Sequence, residues 1–311
     1  MTDRRLLVSV PEGPLRDAFL ALGPLAEGVD LVVWDLDSPA PADEIDLVVP
    51  PYMGTAGRLG TLSGVRTRLV QSQSIGYDDV PAALPPGHVF ANAASVHETS
   101  TAELALALVL AAQRGIPEFV RAAAEGRWAP EARESLADRR VLLVGAGGVG
   151  RAIEERLRPF EVELTRVASR ARDDEHGHVH GTDELPALLP DAEIVIVGVP
   201  LTDATTGLVD AGFLAALPDG ALVVNIARGK VADTDAILAE ATSGRLRFAL
   251  DVTEPEPLPA GHPLFALPNV LISPHVGGAS TAMTPRMARL LRRQVERMLR
   301  GEEPLNVVLR T

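Results

Sequence analysis

The sequence predicts an α/β protein of two domains, and three observations predict it. Apolar, β-branched runs alternate with helix-length segments along nearly the whole chain. A glycine pattern of the dinucleotide-binding kind stands almost at the middle, leaving room for a full domain before it. The 311 residues, 46% of them hydrophobic, suffice for two separate cores.

Before the glycines, the runs "RLLVSV" (5–10), "DLVVWD" (30–35), "IDLVVPP" (45–51), "TRLVQSQS" (67–74) and "HVFANA" (88–93) read as strands of a parallel sheet covered on both faces. "STAELALALVLAAQRG" opens with Ser and Thr as caps, continues in helix formers and stops at Gly115, so one long helix is expected there. After it come "RVLLVG", "VELTRVAS", "AEIVIVGVP", "ALVVNIARG", "LRFALDV" and "NVLISPH", six strands for a dinucleotide-binding sheet. "TPRMARLLRRQVERMLRG" is an amphipathic helix, followed by a tail.

Composition narrows the function classes. Cysteine is absent, which excludes disulfides and thiolate chemistry and suits a reducing cytoplasm. The N-terminal "MTDRRLLVSVPEGP" has too short an apolar run for a signal peptide, and "LALALVLAA" is too short to span a bilayer. A net charge of −13 with scattered cations argues against nucleic acid or an anionic membrane as partner. Lys230 is the only lysine, a poor basis for Schiff-base chemistry.

Gly145, Gly147 and Gly150 form GxGxxG between the strand "VLLV" and a helical segment. They would permit a tight turn, approach of the backbone to a pyrophosphate, and close helix-on-strand packing. The acid that normally holds the ribose 2′-hydroxyl about 20 positions on is missing. Ala168 stands there, followed by Ser169, Arg170 and Arg172, which suit a 2′-phosphate. NADP(H) is therefore expected over NAD(H), which is also compatible with the loop.

Three segments carry a charged group just past a strand, where open parallel sheets bind ligands: "NIARG" with Arg228, "DVTEPEP" with Glu256, and "SPHVGG" with His275. With these and with "GAGGVG", "VPLTDATTGLVD", "VVNIARGKVADTDAILAE" and "ALDVTEPEPLPAGHPLF", the sequence resembles the NAD(P)-dependent D-isomer-specific 2-hydroxyacid dehydrogenases over nearly its whole length. "DVTEPEPLP" resembles the glyoxylate/hydroxypyruvate reductase branch in particular.

The resemblance implies a Rossmann dinucleotide-binding domain (96–280) inserted into a smaller flavodoxin-like α/β substrate domain (1–95 and 281–311), which accounts for the late glycines. It implies hydride transfer between NAD(P)H and a small 2-keto acid, and a homodimer joined through the cofactor domains. Arg228 matches the arginine that grips the substrate's carboxylate and keto oxygen, His275 the general acid/base, and Glu256, rather than Glu254, the carboxylate paired with it. Ile75 and Gly76, in "QSQSIGYDD", match the loop whose amides hold the other carboxylate oxygen. Met53 is either an apolar wall near the substrate or plain core. Thr101, Val149, Pro200, Ala227 and Asp251 complete the cofactor set, with Asp251 fixing the carboxamide.

"HGHVH" (His176, His178, His180) is expected in a surface loop, without an accompanying carboxylate cluster and without a metal. Lys230 is expected to be a surface charge and His97 structural. Two alternatives stay open: a nucleotide-sensing binding protein of corepressor type, and a 3-phosphoglycerate dehydrogenase-like enzyme whose phosphorylated substrate would call on Arg58, Arg66 or Arg68.

Overall fold

The computed structural model describes residues 5–311. The first four residues, on which the reading against a signal peptide partly rests, lie outside the described residues. The chain divides into two compact units, one running up to His97 and resuming at Ser280–Thr311, the other Glu98–Ala279. The divisions fall two residues later and one residue earlier than the sequence suggested. No helix among the described residues is long and apolar enough to cross a membrane.

The first unit is built on a six-stranded sheet of β1 (Leu6–Val10), β2 (Val29–Val33), β3 (Glu44–Val48), β4 (Arg66–Gln71), β5 (Val89–Ala91) and the chain's last strand, β14 (Val307–Arg310). Its order is β14-β5-β4-β3-β1-β2. All neighbours are parallel except β14, which runs antiparallel to β5. The tail expected from sequence is thus an edge strand: "NVVLR" is too short to announce itself, and its partner lies more than 200 positions away. The helices are α1 (Pro14–Ala21), the short α2 (Thr55–Leu59) and the 17-residue α9 (Met283–Leu299). Met287, Leu290, Leu291, Val295 and Met298 of α9 pack on Val8, Leu47 and Leu69 of the sheet. Ile45, Val48, Val70 and Phe90 belong to a second cluster with Trp34 and Leu59.

A buried amide pair fixes the carboxyl end of β4. Gln294 of α9 donates through Nε2 to Gln71 Oε1 (2.7 Å) and to the Leu305 carbonyl (2.9 Å), and its Oε1 accepts from Leu305 N. Gln71 Nε2 in turn donates to the carbonyls of Ser72 and Asn92. Gln294→Ala strands several of these groups in a fully buried place, so urea unfolding should show a loss of about 3 kcal/mol; a change below about 1 kcal/mol would mean that the pair does not hold the loop.

The second unit contains β6 (Arg140–Val144), β7 (Glu163–Ala168), β8 (Arg172–Asp174), β9 (Gly177–Gly181), β10 (Ile194–Val197), β11 (Leu222–Asn225), β12 (Arg247–Leu250) and β13 (Val270–Ile272). The order is β13-β12-β11-β10-β6-β7-β9-β8, eight strands where six were expected. The two extra strands are the antiparallel hairpin β8–β9, turning at Gly177 with φ +105°. "HGHVH" therefore lies largely on a strand: the H-V-H alternation is a period of two, with Val179 buried and His178 exposed. Residues alternate across β6 in the same way, Leu142 and Val144 joining one core cluster, Val141 and Leu143 the other. The helices are α3 (Glu98–Arg114), α4 (Ile116–Ala124), α5 (Gly148–Leu157), α6 (Leu185–Leu188), α7 (Ala211–Ala215) and α8 (Thr234–Ser243). α3 starts at Glu98, so Ser100 and Thr101 lie within its first turn rather than capping it, and it ends before Gly115 at φ +64°.

Candidate active site

Strand order reverses at β6, which is parallel to both its neighbours: from there the order runs one way through β7 and the other through β10 to β13. Such a switch point opens a crevice beyond the carboxyl ends of the strands. One rung of the sheet passes through Val144, Val197, Asn225, Leu250 and Ile272. Three residues beyond that rung stand Gly147, Pro200, Arg228 and His275. The parallel register thus delivers the glycine turn, a proline, a guanidinium and an imidazole to one edge of one sheet.

The glycine turn fits a dinucleotide. Gly145 has φ +121°, and a Cβ there would stand 2.6 Å from the Gly198 carbonyl oxygen. A Cβ on Gly150 would stand 1.8 Å from the Gly145 oxygen, so the helix can sit this close only on glycine. At Gly147 nothing lies within 4 Å of the Cβ position, leaving the backbone open to an approaching pyrophosphate. Gly147 is also the N-cap of α5 and supplies no side-chain cap, so that terminus keeps its donors for an anion. Val149 follows on α5, packed against the core, and Thr101 on α3 lies beside Gly277.

Ala168 ends β7, and the exposed Ser169 and Arg170 follow. Arg172 turns back and donates to the Ala146 carbonyl (3.4 Å), which brings its guanidinium against the glycine turn. Arg170 has no hydrogen-bond or ion-pair partner among the described residues.

Asp251 is the organising group at the end of β12. It is buried, and its Oδ1 accepts from Ser273 Oγ (2.6 Å) and Val276 N (3.0 Å), its Oδ2 from Gly277 N (2.9 Å). His275 N donates to the Asp251 carbonyl (2.7 Å), and Asp251 N to that of Asn225. The loop that carries His275 is thus tied to one carboxylate, a structural duty that the sequence reading, which gave Asp251 only the carboxamide, did not include. With four bonds accepted by its side chain and carbonyl and one donated by its amide, this aspartate sets where the imidazole sits.

His275 itself adopts a left-handed backbone, φ +52°. Its Nδ1 pairs with Glu256 Oε1, and both side chains are partly exposed. Glu254, the competing carboxylate, contributes instead its carbonyl to Thr234 Oγ1 (2.6 Å). The pairing leaves Nε2 as the ring nitrogen for other work. On the neighbouring strand, Asn225 accepts from Ala227 N (3.0 Å) and donates to the Arg228 carbonyl (3.1 Å), while Arg228 Nη1 donates to the Ala227 carbonyl (2.8 Å). Gly229 packs so tightly that a Cβ would stand 1.9 Å from the Thr253 oxygen. This close approach locks the arginine loop to the loop of Glu256. Lys230 is exposed.

In the first unit, the loop after β4 offers two free donors: Asn92 Nδ2 takes the Ile75 carbonyl (2.9 Å), and the amides of Ile75 and Gly76 have no partner among the described residues. Met53 is 73% exposed, so the core alternative for it falls. His97 is buried, with its Nε2 at 2.6 Å from the Gln73 carbonyl and its ring stacked on Tyr52. Arg58, Arg66 and Arg68 each face an acid, Asp37, Glu44 and Asp46 respectively, and are not spare cations for a phosphorylated substrate.

The structure also overturns the reading that no carboxylate accompanies the histidines of the hairpin. Asp173 on β8 stands 2.8 Å from His178 Nδ1, and Glu184, brought back by the turn after β9, stands 2.7 Å from His180 Nδ1. Arg166 anchors the hairpin: it is nearly buried and binds both oxygens of Asp174 at 2.9 Å and Glu154 at 3.2 Å. The Arg166 hydrogen bond, helped by His176 N, pulls the Asp174 carboxyl down to about 2.

A dinucleotide-binding sheet whose carboxyl edge presents an arginine and a carboxylate-paired histidine defines an NAD(P)-dependent oxidoreductase working on a carbonyl and its alcohol. The family model described as D-isomer specific 2-hydroxyacid dehydrogenase, NAD binding domain, matches residues 106–277, and the chain belongs to that family. It is 31% identical over 304 residues to a glyoxylate reductase/hydroxypyruvate reductase of Homo sapiens, covering 89% of this chain and 91% of that protein. A glyoxylate reductase of Pyrococcus furiosus is also 31% identical, over 305 residues, covering 91% and 90%. Among solved structures, a D-isomer specific 2-hydroxyacid dehydrogenase from Xanthobacter autotrophicus Py2, in complex with NADPH and MES, superposes with a TM-score of 0.79 at 31% identity, covering 97% of this chain and 98% of that one.

Proposed function

We propose that the protein reduces a small 2-keto acid of the glyoxylate or hydroxypyruvate type, using NADPH in preference to NADH. The observation that carries this reading is His275, paired through Nδ1 with Glu256 and delivered to the same edge of the sheet as Arg228. The bound dinucleotide supplies the hydride that the carbonyl carbon receives.

The protein's own residues do the rest. Arg228 presents paired donors to the carboxylate and the keto oxygen, polarising the carbonyl and holding it against rotation. The Ile75 and Gly76 amides are assigned to the second carboxylate oxygen. His275 carries a proton on Nε2 and passes it to the oxygen as negative charge develops there. Glu256 pairs with Nδ1 and fixes the ring plane, which leaves Nε2 to face the substrate oxygen. Asp251 sets the loop, and the one acceptor site left on its Oδ2 is assigned to the carboxamide that orients the nicotinamide face. Met53 supplies an apolar contact near the substrate.

The cofactor preference is supported by the unpaired Arg170, by Arg172 against the glycine turn and by the absence of an acid at Ala168; the Xanthobacter relative holds NADPH. Arg170→Ala should lower kcat/KM for NADPH about tenfold or more and leave that for NADH nearly unchanged. An equal fall with both would refute the assignment. The reading as a whole is tested by following NADPH oxidation with glyoxylate, hydroxypyruvate, pyruvate, phenylpyruvate and branched 2-keto acids: turnover of the smallest supports it, and none with either cofactor sinks it.

We assign the cytoplasm as the compartment, since a cysteine-free chain gives up nothing in reducing surroundings. We also assign a homodimer. On the cofactor unit, Ile116 and Val120 of α4 and Trp128 beyond it are 48%, 63% and 94% exposed, an apolar surface of the kind that subunits bury.

A further inference from the structure

The histidine hairpin is the one sequence motif that the reductase reading leaves unused. On β9 the side chains at 178 and 180 share a face, and their rings meet edge to face with centroids 4.6 Å apart. Gly181 leads into a single turn, Thr182–Glu184, whose last residue folds back over that face. Glu184 Oε1 accepts from Gly181 N at 2.8 Å, which fixes the carboxylate where its other oxygen meets His180. Each of His178, His180 and Glu184 offers one donor atom, and these three atoms lie within 4.8 Å of one another.

A carboxylate also stands behind the first histidine. Asp173 holds Nδ1 of His178 at 2.8 Å, so that nitrogen keeps the proton and Nε2 presents its lone pair. Outer carboxylates orient metal-bound imidazoles in the same way. The platform is braced from below, because Arg166 ties Asp174 and the Gly177 carbonyl of the hairpin to Glu154 of α5.

We propose that this face of the β8–β9 hairpin binds a divalent transition metal of the zinc class through His178, His180 and Glu184, with water in a fourth position. Two imidazoles and one carboxylate suit Zn²⁺, Co²⁺, Ni²⁺ or Cu²⁺; Mg²⁺ and Ca²⁺ want a full set of oxygens. Bonds of about 2.0–2.1 Å set tetrahedral donors roughly 3.4 Å apart, which small side-chain rotations reach from the present spacing. The ion would tie the turn at Glu184 to a strand whose partner, β7, ends at Ala168 beside the exposed Ser169 and Arg170. An occupied site would therefore restrain the segment next to the adenosine end of the cofactor loop.

The test uses the full chain without a polyhistidine tag, stripped with chelator, and titrated with Zn²⁺ by calorimetry and with Co²⁺ by visible absorption. One equivalent should bind, with the absorption of a nitrogen- and oxygen-ligated Co²⁺. His180→Gln and Glu184→Gln should each weaken Zn²⁺ at least tenfold; His178→Gln, at an exposed position, serves if either fails to fold. Asp173→Asn should weaken it less. The proposal is overturned if 1 mM Zn²⁺ shows no binding, if the H178Q/H180Q double variant binds as the parent does, or if Mg²⁺ competes equally.

Discussion

Replacing His275 by asparagine should lower kcat for keto-acid reduction by about 10²–10⁴-fold while leaving NADPH affinity nearly unchanged. Asparagine is the right probe because position 275 is left-handed, φ +52°, a conformation that it tolerates better than most side chains. The loop is held by the backbone amide of residue 275 and by Asp251, not by the imidazole, so the geometry around the missing ring should survive. Stopped-flow reduction under single-turnover conditions reads the chemical step directly. Retention of more than a tenth of the parent rate would remove His275 from proton transfer and with it the assigned mechanism.

The second large effect is expected at Arg228. Arg228→Ala should reduce kcat/KM by about 10³-fold, since it removes both the clamp on the carboxylate and the donor that meets the developing oxyanion. Arg228→Lys should recover only part of this, because a point charge cannot reproduce the planar fork. A full recovery by lysine would reduce the residue to a simple electrostatic attractor. Binding of NADPH, followed by fluorescence, should be little altered in either variant, which separates a failed substrate site from a failed fold.

Strands were the most legible part of the sequence, because continuous apolar runs such as "VLLV" and "IVIV" are needed wherever a parallel sheet is covered on both faces. The GxGxxG turn was legible for a harder reason: at Gly145 and Gly150 the space itself excludes a side chain. What escaped were features set by distant partners or by polar residues. β14 pairs with a strand more than 200 residues earlier, and no local pattern announces that. The β8–β9 hairpin is written mostly in Arg, Asp and His, with Val179 its one buried apolar side chain, and Arg166 ties it down through Asp174. Asp251 was assigned to the cofactor, but its hold on the Ser273–Gly277 loop depends on two strands ending at one rung. Arg228, Glu256 and His275 carried the residue types for the chemistry, and their place just past three strands put them at one sheet edge; the common rung and the pairing of His275 Nδ1 with Glu256 follow from the strand register, which the sequence does not display.

The position of β14 has a consequence for synthesis. The first sheet begins at Leu6, yet its outer strand and the helix that covers one face, α9, are made after the whole of the second unit. At about 5–20 residues per second, β5 leaves the ribosome roughly 10–40 s before its antiparallel neighbour. During that interval Val8, Leu47 and Leu69 lack the cover of Met287, Leu291 and Val295, and the unpaired edge of β5 is open to strands of other chains. The second unit has all its strands in one continuous stretch and can close first. The nascent chain thus carries a finished nucleotide-binding domain alongside a half-built one, and the slower partner in its maturation is the domain that was translated first.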